Sequence, residues 1–151
     1  MEITRELLKE KYAEYNKLYF DGKLGKCVFG FIQSYNDGAG GFTVKKDRNG
    51  RKYGCIRLSK CVLWNENLFR EVLVHEMIHM YNHLVEMGLA ATWPFYGLFY
   101  HGFFFKRQCR RIKRKHNLKV FATIPVFNPI PYKKKIHDSL LNRVVSKILG
   151  C

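Results

Sequence analysis

Five residues constrain this chain more than any other stretch: His75-Glu76-Met77-Ile78-His79, an H-E-x-x-H pentapeptide set in a strongly apolar helical pattern. Two histidines four apart on a helix share one face and are separated by roughly 6 Å of rise, so both imidazoles can reach a single metal ion. The glutamate directly follows the first of them. Its carboxylate then lies beside the metal's open position, where it can take a proton from water and later deliver it to a leaving amine. The flanking sequence supports a helix. Asn65 is an N-cap residue type, and Leu68, Phe69, Val72, Leu73, Met77, Met80 and Leu84 recur at three- and four-residue spacings as far as Gly88, a helix-ending residue. The spacing predicts one helix of about 22 residues, roughly 33 Å long and largely buried. A buried His-Glu-His group without a metal would leave polar atoms short of partners, at a cost of kilocalories each. The pattern points to a zinc site with Glu76 as general base, the arrangement of a zinc-dependent peptidase.

A catalytic zinc takes three protein ligands and leaves a fourth position to water, so a further ligand is needed. One known spacing would require Gly and His where this chain has Asn82 and Val85, and another requires a downstream glutamate, whereas none follows Glu86. Glu86 lies roughly 10 Å along the axis from His79, and His83 roughly 12 Å from His75, both too far for bonds of about 2 Å. His101, His116, His137 and Asp138 remain. His101 is the best placed, because it opens a second helical segment, Gly102 to about Asn117. Phe105, Cys109, Ile112 and His116 give that segment one apolar stripe, and its length would carry His116 away from the metal.

The run Tyr15-Asn16-Lys17-Leu18-Tyr19-Phe20-Asp21-Gly22-Lys23-Leu24, the pentapeptide, and His101-Gly102 followed by Phe105 together resemble the SprT-like zinc metallopeptidase domain family, which has DNA-dependent proteases among its eukaryotic members. The resemblance covers residues 1–117. It implies one zinc ion per chain held by His75, His79 and His101, with Glu76 as catalytic base, in a small zincin-like α+β domain of helices packed on an antiparallel sheet. Full-length bacterial members also carry a C-terminal zinc ribbon built on paired cysteines. Cys27, Cys55, Cys61, Cys109 and Cys151 contain no C-x-x-C, so no ribbon is expected in this sequence.

Charge is the second signal. The net charge of +15 is unevenly spread, and the densest region carries Lys106, Arg107, Arg110, Arg111, Lys113, Arg114, Lys115 and Lys119 with no acid among them. Lys133, Lys134 and Lys135 form another cluster. A stripe of this kind repels itself unless phosphates or counter-ions neutralise it, so DNA is the expected partner, with protein substrates delivered along it to the zinc. The alternatives are a merely solvated basic face, a peptidase that recognises acidic proteins, and a nucleic-acid-binding module whose zinc site is structural or inactive.

Elsewhere the pattern predicts an N-terminal amphipathic helix from about Arg5 to Phe20, capped by Thr4, with Leu8, Tyr12, Tyr15 and Tyr19 on its inner face. Strands are expected at Cys27 to Ser34, Phe42 to Lys46 and Arg51 to Leu58. The last two flank the hairpin turn Asp47-Arg48-Asn49-Gly50, and the three together suggest an antiparallel sheet on which the helices pack, with the pentapeptide on the central helix. An edge of that sheet near the active helix could hold an extended peptide. Asn36 to Gly41 is a Gly-rich loop without the G-x-x-x-x-G-K-[ST] run of a phosphate loop. Aromatics between Met87 and Tyr100 would wall the cleft or fill the core. Residues 118–151 read as an extension with a short helix, Ser139 to Leu149, docked on the same domain. There is no apolar run of membrane length and no signal pattern, and the odd number of cysteines suits reduced thiols. A cytoplasmic monomer that does not engage membranes is expected.

Overall fold

The computed structural model describes residues 1–33, 38–86 and 101–121. Thr4 caps α1 (Arg5–Phe20), its hydroxyl accepting from the Leu7 N–H at 3.1 Å, a type of interaction worth about 1 kcal/mol. Leu8, Tyr12, Tyr15 and Tyr19 are all buried, as their spacing requires. The helix ends where Asp21 and Gly22 adopt φ of 54° and 71°, and the Gly22 N–H returns to the Asn16 carbonyl at 3.0 Å. The Asn16 carboxamide then brackets Leu24, donating to its carbonyl at 2.9 Å and accepting from its N–H at 3.0 Å. That clamp turns the chain directly from helix into sheet.

Three strands follow: β1 (Cys27–Ile32), β2 (Gly40–Lys46) and β3 (Lys52–Ser59). β2 and β3 form the expected hairpin. Asp47 Oδ1 accepts from the Asn49 and Arg51 N–H groups at 2.9 Å each, and Gly50 supplies the positive φ of 76° that the turn needs. The sheet as a whole is not antiparallel. Its order is β1-β3-β2, with β3 antiparallel to β2 and parallel to β1. Burial accounts for the difference: Gly54, Cys55, Ile56, Leu58 and Ser59 of β3 are all buried, whereas most of β1 and β2 stays half-exposed or exposed. The strand with two apolar faces takes the centre, and β1 pairs with it in parallel on the side away from β2.

α2 (Glu66–Tyr81) begins at Asn65, whose side chain accepts from the Leu68 N–H at 2.9 Å, and it carries the pentapeptide in its second half. The helix does not run unchanged to Gly88. Residues Asn82–Glu86 wind as a π-helix, and the Asn82 N–H is shared between the Ile78 and His79 carbonyls. α3 (Phe103–His116) starts at Gly102 and stops at Asn117, whose φ is 53°. α1 and α2 cover one face of the sheet: Tyr12 meets Phe29 edge-on at 5.5 Å, and Met80 presses on Gly54. Leu118 and Val120 are buried in the same core, so the packed domain continues past residue 117. The Met87 to Tyr100 aromatics, Lys133, Lys134, Lys135, His137, Asp138 and the Ser139 to Leu149 helix lie outside the described residues. Among the described residues no helix is long and apolar enough to cross a membrane.

Candidate metal centre

The second half of α2 is closed to water: from Leu73 to Met80 every residue is buried except His75, which is half-buried. Into this surrounding the helix places His75 and His79 on one face, and the residue two before α3 adds His101. The Nε2 atoms of the three histidines lie 3.1 Å from one another in every pairing. Phe105 packs under all three rings, with centroid separations of 4.8, 4.6 and 4.8 Å, and is itself 1% exposed. The apolar stripe of α3 therefore brings His101 to α2 through Phe105. His116, the same helix's other candidate, packs edge-on against Tyr19 at 5.1 Å, and His83 faces Phe42 at 5.6 Å.

The donor set fits a zinc ion. A tetrahedral zinc with bonds of about 2.0–2.1 Å separates its nitrogen ligands by about 3.3 Å, close to the 3.1 Å found here. Each ligand must present a lone pair. The Phe121 carbonyl, which can only accept, is 2.8 Å from His75 Nδ1, so the proton sits on Nδ1 and Nε2 is left bare. Burial pushes His75 down to about 4 and also lowers His79 and His101, and mutual repulsion among the rings adds to the effect at His75 and His79. All three imidazoles are consequently neutral at physiological pH. The group could hold a metal ion, and three imidazole nitrogens are ligands suited to zinc.

Glu76 is 6% exposed, and burial pushes its carboxyl up to about 8. It would keep its proton at neutral pH unless a positive charge stood nearby, and a cation held by the adjacent histidines is such a charge. The start of β2 closes over this carboxylate. A Cβ added at Gly40 would stand 2.8 Å from Glu76 Oε1, 2.9 Å from Val72 Cγ1 and 3.1 Å from Leu58 Cδ2. Only glycine lets the strand approach so closely. The Gly-rich run containing Gly40 attracts notice in the sequence as a possible phosphate loop, whereas its structural use is to admit the glutamate. The Phe121 carbonyl has no sequence signal at all, because any residue supplies one.

Of the basic residues expected on α3, Lys106, Arg107, Arg110, Lys113, Arg114 and Lys115 are exposed. Arg111 is not. Its guanidinium donates to Gln108 Oε1 at 2.7 Å and to the Tyr19 carbonyl, tying α3 to α1. Arg107 pairs with Glu86, which also accepts from Gln108 Nε2 at 3.0 Å, so the π-helical end of α2 is fastened to α3.

A mixed α+β domain here presents His-Glu-x-x-His on one helix and a third histidine just before the next, three histidines that together could hold a metal ion. Residues 8–125 match the sequence model of the SprT-like family, and the chain belongs to that family. No curated protein matched it.

Proposed function

We propose that the chain is a zinc-dependent endopeptidase of the SprT-like type. The observation that carries this reading is the convergence of His75, His79 and His101 Nε2 at 3.1 Å beside the buried carboxyl of Glu76. Zinc bound by those nitrogens supplies a Lewis acid that polarises a peptide carbonyl and eases deprotonation of water. The remaining steps belong to the chain's own residues. Glu76 accepts a proton as the water oxygen bonds to the carbonyl carbon, and delivers it to the amine nitrogen as the C–N bond breaks. β2 is an edge strand in the described sheet, and its first residues adjoin Glu76. An extended peptide hydrogen-bonded along it would bring its backbone to the histidines without any side chain being read.

The exposed Lys106, Arg107, Arg110, Lys113, Arg114 and Lys115 begin within a few residues of His101, which supports DNA as partner and DNA-associated proteins as substrates. Arg111 serves this face by anchoring it. The free thiols of Cys27, Cys55, Cys61 and Cys109 suit a reducing cytoplasm, and the chain acts as a monomer in this reading. The test is Glu76→Gln, with zinc content and cleavage of a DNA-bound protein both measured. Zinc should stay stoichiometric while cleavage falls by about 10²–10⁴-fold, the usual contribution of a general base. Full cleavage by the variant would overturn the assignment. DNA binding without zinc-dependent cleavage in the unaltered protein would favour a binding module with a structural or inactive site.

A further inference from the structure

Away from α3, the β2–β3 hairpin and the sheet face turned from the helices carry charge that the metal centre does not use. Between Lys45 and Arg57 the sequence has six basic residues, Lys45, Lys46, Arg48, Arg51, Lys52 and Arg57, and a single acid, Asp47. All six are exposed, and among the described residues none makes an ion pair. Asp47 offsets only one of these six charges, and its Oδ1 accepts from the Asn49 and Arg51 backbone N–H groups. By contrast, α1 interleaves Arg5, Lys9, Lys11 and Lys17 with Glu6, Glu10 and Glu14, and Lys11 pairs with Glu14 at 2.7 Å.

The register places part of this charge on one surface. Lys45 lies opposite Tyr53 and Gly41 opposite Arg57, so the Lys45 and Arg57 side chains project to the same side of the sheet. Lys26, just before β1, joins them there, with its Nζ 5.1 Å from the centre of the Tyr53 ring. Arg57 lies along Gly30 of β1, where an added Cβ would be 3.2 Å from its Cγ. Among the described residues α1 and α2 pack on the opposite face, and this one carries, beside the buried Cys55 and Ser59, a cation on or next to each strand and one tyrosine. Neighbouring strands are about 4.8 Å apart, and the row from Arg57 to the hairpin tip runs roughly 20 Å, so adjacent charges sit within about one Debye length of 8–10 Å and repel, while the two ends of the row are largely screened from each other.

We propose that the β2–β3 hairpin and the outer sheet face form a second nucleic-acid-binding surface, separate from α3, that grips phosphates through Lys26, Lys45, Arg48, Arg51 and Arg57. Charge complementarity selects a polyanion, and the spread of cations along an extended row suits a continuous phosphate backbone better than a single anion. β2 also begins at Glu76, so a strand bound on the hairpin lies on the same element that borders the candidate metal centre. The surface goes beyond the reading of α3, and the two can fail independently.

The experiment compares the zinc-loaded protein with two triple variants, Lys45→Glu/Arg48→Glu/Arg51→Glu on the hairpin and Lys106→Glu/Arg110→Glu/Arg114→Glu on α3. Binding of labelled DNA is titrated across a salt series, with circular dichroism and zinc content as controls for folding. A milder hairpin variant with Gln at the same three positions covers the case in which charge reversal perturbs the fold. The hairpin variants should bind at least about 10-fold more weakly at low salt, and the slope of log K against log salt should shrink by about 0.9 for each phosphate that is no longer neutralised. Unchanged affinity and slope in both hairpin variants overturns the proposal, whatever α3 does. A hairpin effect with no α3 effect keeps it and removes α3 as a DNA-binding surface. Equal competition by polyglutamate or by phosphatidylserine vesicles at matched charge also overturns it, since the surface would then not prefer nucleic acid.

Discussion

α2 and α3 meet at the same three nitrogens but are built on opposite terms. The second half of α2 is buried around its ionisable groups, whereas α3 buries only Phe105, Gln108 and Ile112 and leaves its charges in water. A histidine or glutamate kept dry costs free energy unless something compensates it, so its presence on α2 demands a chemical reason. A lysine on an exposed helix costs almost nothing and demands none. The contrast explains why five residues of α2 carry so much information and eight basic residues around α3 carry much less. It also marks out Arg111, the one member of the basic set on α3 that is not exposed.

His79→Ala removes a ligand from the dry end of α2 and should weaken zinc binding by more than about 100-fold, beyond the 10–100-fold typical for loss of a residue that merely supports a ligand. Metal analysis after dialysis against a weak chelator checks it, and retained stoichiometric zinc would break the three-histidine assignment.

The next effect is the pH dependence of the metal-free protein. Folded His75 titrates at about 4 and Glu76 at about 8, against ordinary values of 6.5 and 4.5. The histidines hold fewer protons folded than unfolded, so their contribution to stability is lost as pH falls below 6.5. The glutamate holds one more folded than unfolded between 4.5 and about 8, so stability also declines as pH rises through that window. Melting temperatures of the apo-protein should therefore fall on both sides of a maximum near 6.5, and Glu76→Gln should flatten the alkaline limb and steepen the acid limb between 4.5 and 6.5, where the glutamate opposes the histidines. An unchanged alkaline limb in that variant would show that the carboxyl is not held dry.

Gly40→Ala sharpens the same point from the strand side. The new methyl group overlaps Glu76 Oε1, so the carboxylate must shift; kcat should drop by about 10-fold or more, in line with the sensitivity of reacting groups to misplacement of about 1 Å. Zinc content and KM should change little. If KM rises and kcat does not, Gly40 serves the peptide track and not the base.

The smallest effect contrasts two basic residues of α3. Arg111→Ala removes charged hydrogen bonds to Gln108 and Tyr19 and should cost about 1.5–3 kcal/mol of stability, whereas Lys113→Ala should stay within about 0.5 kcal/mol. Urea melts of the two variants measure the difference. Equal effects would mean that α3 carries its charges uniformly.

Much of the fold and the site is legible in the sequence, and the reason is physical. Thr4 and Asn65 cap the helices they precede, and the spacing of Leu8, Tyr12, Tyr15 and Tyr19 gives the buried face of α1, because caps and periodicity are local properties. His101 is legible through its position at a helix start and through the family resemblance. The parallel pairing of β1 with β3 is not, since alternation along a strand marks its faces and says nothing of its neighbours. The π-helical turn at Asn82–Glu86 is also hidden, because apolar spacing continues to Leu84 as if the helix were regular. Gly40 and the Phe121 carbonyl act through backbone, one by lacking a side chain and the other by lacking any need for one.

Phe105 has a consequence for metal binding. Its ring lies under all three imidazoles and is almost fully enclosed. An ion that exchanges must travel on the side away from the ring, and the histidines cannot swing apart without displacing it. The ring therefore backs the three imidazoles and keeps their Nε2 atoms converged before any ion arrives, so that binding would need little reordering of the ligands. A smaller residue in place of Phe105 would let the rings part, and an ion would then have to reassemble its own site.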